Sequence, residues 1–466
     1  MGIWMNWWDW AKTLRKACSR ERTFMWLLVA LIGFSIRDDL LGVSSFIRCI
    51  GLHENCYDLL LDFFHSTALC AINLSKIWTG VVFDRHPGIV RSGGKPVVVC
   101  DGIKVGKSGK KMPGVKLLHQ ESDSNTKPEY IMGHSCQAVC VLAQGSSSTV
   151  AIPLAARIHE GVVFSNRDSR SLLDKMILLL VELGITGGFV LLADAYYASK
   201  KIVLPLIKQG CHLISRAKSN AVAYHPPEHS AKVRRGRKKT YGKKVKLSTL
   251  FDNPDDMVEA TSPVYGESGV TLCYKSIELL WKPTGLLVLF VAVVHPIRGK
   301  CLLFSTNTAL TAEEVIRLYG LRFKIEVSFK QALHTVGAYL YHFWMKMMTP
   351  IKQCSGNQYM HHKSEEYRKA VRRKLDAYHR FIQVGLIAQG LMVVLSTVSP
   401  QLVWHSFGSW LRTIRPDICP SEMVVGIALK NSFTEFLLSI NPAEKLTKFI
   451  LQKLDYTRKN CSKMAI

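Results

Sequence analysis

The stretch Tyr319-Gly-Leu-Arg322-Phe-Lys-Ile-Glu326-Val-Ser-Phe-Lys330 decides how the rest of the chain is read. Thr311 with Glu314 three residues later fits a capping box, and an apolar-periodic run follows, so the spacing predicts one helix through this region. From Tyr319 the steps to Arg322, Glu326 and Lys330 are three, four and four, which would place these four side chains on one helical face. Leu318, Leu321, Ile325 and Phe329 would fall largely on the other side. A solvated surface helix often carries mixed charge. The functional reading of this one depends on two other carboxylates upstream.

Asp101 closes the apolar run Pro96-Val-Val-Val-Cys-Asp101, and Asp194 closes Gly188-Phe-Val-Leu-Leu-Ala-Asp194. Interiors of buried strands disfavour acids, and in an open sheet functional groups gather at the carboxyl ends of strands. Between and after these runs the pattern predicts strands at 138–143 and 148–158, a helix at 168–183 stopped by Gly184, a helix at 199–209 ended by Gly210, and a strand at 212–216. Three strands, a helix, a strand, a helix and a strand make a mixed α/β sheet with helices on its faces. Two strand-end aspartates and Glu326 converging on one spot would repel one another and raise one another's pKa. Hard divalent cations relieve that repulsion, and oxygen ligands suit Mg²⁺ or Mn²⁺. Two such ions about 4 Å apart activate a nucleophile and stabilise a leaving oxygen in phosphoryl displacement. Arg322 and Lys330 would then hold the flanking phosphates.

Charge points the same way. The 466 residues hold 61 lysines and arginines against 35 acids, a net charge of +26, which implies a polyanionic partner: nucleic acid first, an anionic membrane surface second. Lys232 to Lys246 packs nine lysines or arginines into fifteen residues without an acid. Within it Arg234, Arg235, Arg237, Lys238 and Lys239 are candidate nucleic-acid contacts. Thirteen cysteines, with no CxxC pair, fit buried free thiols in a reducing cytosol. The apolar segments 25–36 and 286–294 fall well below the roughly 20 residues that span a bilayer, so no membrane partner is expected.

At these residues the chain resembles the DDE transposases of bacterial insertion sequences, and more narrowly the subgroup with the signature Y-x2-R-x3-E-x6-K and a β-strand insertion ahead of the glutamate helix. Tyr319, Arg322 and Glu326 match that signature. Asp101 in VVVCDGIKVGK and Asp194 in LLADAYYAS resemble the two family aspartates. The resemblance covers roughly 89–340. Leu333 stands where the signature closes on lysine, and Lys330, four residues past the glutamate, is the nearest substitute; Asn307 stands where an acid is common.

The resemblance implies an RNase H-like catalytic domain at 89–221, a β-rich insertion with a basic loop at 222–308, and the glutamate helix at 309–345. A helical region at 1–88, a candidate DNA-binding module, and another at 346–466, the natural place for a dimer interface, would flank them. It further implies Asp101, Asp194 and Glu326 as catalytic metal ligands, with Tyr319 near the cleavage site. The partners implied are the element's terminal inverted repeats and target DNA, bound by a homodimer in a synaptic complex in the bacterial cytoplasm, at the nucleoid. Two alternatives remain at this stage: an endonuclease on the same fold without strand transfer, and a basic DNA-binding protein with a vestigial triad.

Overall fold

The computed structural model describes residues 2–120, 128–218, 220–227, 239–408 and 414–457. Arg234, Arg235, Arg237 and Lys238 lie outside the described residues; Lys239, at the edge of that gap, is exposed. The chain divides into two compact units. One comprises Met1–Val90, Gly102–Ile185 and Glu326–Ile466; the other comprises Arg91–Asp101 and Thr186–Ile325.

The second unit is a mixed sheet with helices. Neighbour by neighbour its strands are Lys244–Lys246, Val222–Tyr224, Thr271–Trp281, Leu286–His295, Gly299–Ser305, His212–Arg216, Val190–Ala193 and the 95–101 part of Lys95–Gly106. Val258–Thr261 pairs with Thr271–Trp281. The last three strands in that order run parallel; the others pair antiparallel. Val97, Val98, Val99 and Cys100 are fully buried, as are Val190 to Ala193, because a parallel strand covered on both faces needs apolar residues at every position. Trp281, Phe290 and Phe304 pack together on the antiparallel part. Among the described residues two α-helices lie wholly within this unit. Lys200–Lys208 is capped by Ser199, whose side chain accepts from Lys201 N. Ala312–Gly320 is capped by Thr311, whose hydroxyl accepts from Glu314 N at 3.2 Å.

Two sequence expectations are corrected here. The strand read as ending on Asp101 continues to Gly106, and its burial switches at Asp101 from unbroken to alternating. The sequence changes in step, from VVVC to DGIKVG, so period-one apolarity gives way to period two. The single helix expected over 311–330 is two helices, Ala312–Gly320 and Lys324–Gln331. Between them the ladder tightens to i→i−3 bonds: Leu321 N to Leu318 O, Arg322 N to Tyr319 O, and Lys324 N to Leu321 O. Gly320, a poor helix former, sits at the break, where a Cβ would stand 3.2 Å from Val264 Cγ1. Tyr319 therefore lies in the last turn of one helix, Arg322 lies in the turn between the two, and only Glu326 and Lys330 share a helical face.

The first unit is mainly helical, built against the strand Tyr130–Gln144, which pairs antiparallel with Lys116–His119 and with Thr149–Ile158. Its axis is the helix Glu365–Val398, 34 residues long and capped by Ser364, whose side chain accepts from Tyr367 N. The helix starts amphipathic and is buried almost throughout from Ala377 to Ser396. By length and composition it could cross a membrane, but 89% of its most apolar window is buried inside the protein. Two of its buried polar residues donate to backbone carbonyls: Arg380 to Leu69 O and Phe64 O, and Gln383 to Leu154 O. Trp4, Trp7 and Trp10 are buried, Trp4 stacking on Phe436 and donating to Leu429 O, so these tryptophans are packing residues. Every described cysteine is free.

Candidate active site

The register of the parallel strands places the first two carboxylates. Val97 pairs with Val190, Val98 with Leu191, and Val99 with Leu192. Carried two residues on, the same register brings Asp101 level with Asp194, and in a parallel pair residues at one level point to the same side of the sheet. On the next strand Ala193 pairs with Ser215, so one further step brings Asp194 level with Arg216. Asp101, Asp194 and Arg216 thus form a row across three adjacent parallel strands, whose neighbours lie roughly 4.8 Å apart.

Each member of the row is held locally. The apolar strand ends at Ala193, and Asp194 caps the short turn Ala195–Tyr197, its Oδ1 accepting from Tyr196 N at 3.0 Å. Ser215 Oγ donates to Asp194 O at 2.8 Å, tying that backbone to the next strand. Asp101 accepts from Arg322 Nη1 at 3.0 Å, an ion pair whose side chains are 19% and 20% exposed. The turn that carries Arg322 is anchored by the helix before it. Tyr274 Oη donates to Glu313 from within the same unit. Lys324 Nζ lies 3.6 Å from the Tyr265 ring centroid, and Phe323 beside it is exposed.

Tyr319 completes this group. Burial holds its hydroxyl above the usual phenol range; the Asp194 carboxylate and Cys301 push the same way, and Arg322 and Arg216 oppose them. It therefore stays a neutral O–H through neutral pH. Four of the groups named by these contacts, Asp101, Asp194, Tyr319 and Arg322, were expected from the sequence. Arg216 was not. It stands in the sequence only as the last residue of a strand, and no residue pattern marks it.

Glu326 and Lys330 belong to the other compact unit, on the exposed side of Lys324–Gln331, four residues apart. That helix passes into a π-turn at Ala332–Val336, ended by Gly337 at φ +71°, and Leu333 lies within the turn. The wider turn adds a residue to the helical repeat, so counting from the glutamate no longer predicts which face residue 333 shares. Among the described residues no group of three or more His, Cys, Asp or Glu side chains is placed to hold a metal ion. The donors themselves suit a hard divalent cation: two carboxylates level on adjacent strands, with no thiol or imidazole in the row.

Residues 93–337 match a family model described as "Transposase DDE domain", which is more than half of the chain. No curated protein matches the sequence. Among solved structures, the chain is similar to the piggyBac transposase in its synaptic complex with hairpin DNA, seen by cryo-EM. The identity is 10% and the TM-score 0.36, with 98% of this chain and 83% of that chain covered.

Proposed function

The chain belongs to the DDE transposase family, and from that footing we propose that it binds the terminal inverted repeats of its own element, cleaves the ends by metal-dependent phosphodiester hydrolysis, and joins the 3′-OH ends to target DNA. The observation that carries this reading is the row: Asp101 level with Asp194 on adjacent parallel strands, with Arg322 on Asp101. Two carboxylates level at the ends of adjacent buried strands would repel, and a cationic partner relieves that repulsion.

In this reading Asp101, Asp194 and Glu326 hold Mg²⁺ or Mn²⁺, probing for one or two ions being a matter for titration. When bound, the metal activates the attacking oxygen and stabilises the leaving one. The protein's own residues supply the rest. Arg322 has five donors in a planar fork, so it can hold Asp101 with one edge and a DNA phosphate with another. Tyr319, kept protonated by burial, donates its hydroxyl to DNA beside the scissile bond. Arg216 adds a positive charge at the end of the row, and Lys330, one helical turn past Glu326, takes the phosphate contact that the missing signature lysine would make. Lys239 and the neighbouring Arg234, Arg235, Arg237 and Lys238 hold the duplex through its backbone. Joining two ends calls for two copies of the chain, so the active form is a homodimer on two inverted repeats, working at the nucleoid of a bacterial cell.

The test uses purified full-length protein, labelled inverted-repeat DNA and Mg²⁺. Cleavage and joining by the wild type are expected, with each of Asp101→Ala, Asp194→Ala and Glu326→Ala losing both while still binding the DNA. Wild-type binding without cleavage defeats the proposal, and cleavage without joining reduces it to an endonuclease.

A further inference from the structure

The helix that carries Glu326 is braced from behind by a buried polar contact. Ser328 lies two residues past Glu326, about 200° around the helix, and faces the core while Glu326 faces out. It is 5% exposed. Gln389, fully buried on the long axis helix, donates its Nε2 to Ser328 O at 3.0 Å and to Ser328 Oγ at 3.2 Å. The same Nε2 reaches Glu422 Oε1 at 3.4 Å. Glu326, Ser328, Gln389 and Glu422 all belong to one compact unit.

This contact is costly to keep. Gln389 Oε1 is buried with no hydrogen-bond partner among the described residues, and a buried carbonyl left unpaired costs about 1–3 kcal/mol. Leucine or methionine would fill the same space without that cost. What the amide supplies is direction. Apolar packing lets a short helix rotate or slide with little penalty, whereas a side-chain amide on one main-chain carbonyl fixes both rotation and height. Lys324–Gln331 needs such a fix more than most helices. It is only eight residues long, begins after a run of i→i−3 turns, and passes into a π-turn, so the regular helical ladder extends on neither side.

We infer that Gln389 is a positioning residue for Glu326: by holding Ser328, it sets the axial rotation of the glutamate helix and thereby the place of the carboxylate. This rests on the reading of Glu326 as a metal ligand. Misplacing a reacting group by about 1 Å can cost roughly 100-fold in rate, and loss of an outer partner of a metal ligand typically costs about 10–100-fold in affinity or activity.

The experiment compares full-length wild type with Gln389→Met, Ser328→Ala and Glu326→Gln. It reads thermal midpoint, Mn²⁺ affinity by electron paramagnetic resonance, and cleavage rate on inverted-repeat DNA. Gln389→Met, which removes the unpaired Oε1 together with the donor to Ser328 and Glu422, is expected to stay folded, to weaken Mn²⁺ binding about 10-fold, and to slow cleavage about 10–100-fold. Ser328→Ala keeps the main-chain contact and is expected to lose only a few-fold. Should the methionine variant fail to fold, Gln389→Leu takes its place. Wild-type Mn²⁺ affinity in folded Gln389→Met, with Glu326→Gln weakened, overturns the positioning role alone. Unchanged affinity in Glu326→Gln overturns the metal-ligand reading beneath it.

Discussion

Arg216 ends its strand level with Asp194, beside a tyrosine whose ionisation it influences, yet no pattern in the sequence singles it out. A chain with 61 lysines and arginines ends many elements on a basic residue, so type and position alone say nothing. Only the register of three parallel strands shows that this one shares a row with two carboxylates. The aspartates were legible for the opposite reason. An acid directly after four or five apolar residues is rare enough to carry information, and both Asp101 and Asp194 sit there. Arg216 is exposed, so replacing it should barely affect folding, with an expected change within about 0.5 kcal/mol. Its charge is another matter. A hydrogen bond from a guanidinium to phosphate contributes about 1.5–3 kcal/mol, so Arg216→Ala is expected to slow end cleavage roughly 10–100-fold. If the contact is to a phosphate, the salt slope of binding should also fall by about one. Rates and binding at several salt concentrations, set beside an unchanged thermal midpoint, check both halves.

The segment from Thr311 to Gly337 shows what residue spacing can and cannot say about an element. The capping box at Thr311 and Glu314 is present as the pattern predicts, because capping depends on side chains three residues apart and on little else. The continuous face from Tyr319 to Lys330 is absent, because periodicity tests whether residues could share a helix and does not test whether the ladder persists. Gly320 was the visible warning. The π-turn at Ala332–Val336 carried no comparable signal, and it is what moves Leu333 out of the simple count from Glu326. The end of this segment is sharply determined. Gly337 adopts φ +71°, and a Cβ there would overlap Arg37 Nη2. Arg37 is itself buried, its guanidinium donating to Val336 O and Ser45 Oγ, with its pKa lowered by burial to about 10. It cannot move aside without leaving a buried charge short of partners. Gly337→Ala therefore meets both left-handed backbone strain and a collision, and a loss of roughly 2–4 kcal/mol is expected in urea unfolding. A loss under about 0.5 kcal/mol would mean that the turn relaxes and does not hold the glutamate helix from its far end.

Taken whole, the second unit was more legible than the first. Its parallel strands are short apolar runs, and 212–216 was placed to the residue. The first unit is held by a long core helix whose polar residues look misplaced until their distant partners are known: Arg380 with Leu69 O, 311 positions away, and Gln389 with Ser328, 61 positions away. The same burial encloses several imidazoles, and it sets how the unit responds to pH. His134 lies between Tyr341 Oη and Pro113 O, fully buried, its pKa pushed down to about 3. Burial takes His159 to about 3 and His86 to about 4, and holds His379 well below the ordinary range. Each folded value lies below the ordinary histidine range near 6.5, so between the two the unfolded chain binds a proton that the folded chain does not. Stability is therefore complete above about pH 6.5 and is lost as pH falls through that value toward 4 and 3, by up to a few kcal/mol for each enclosed ring. Carboxylates contribute to acid unfolding mainly below about pH 5, which leaves pH 5 to 6.5 as a window dominated by these histidines. The thermal midpoint is expected to drop steadily from pH 7 to pH 5, and His86→Gln should lessen the slope by giving up one proton of uptake. A midpoint that holds level or rises across that interval would show that the rings are charged and solvated in the folded protein.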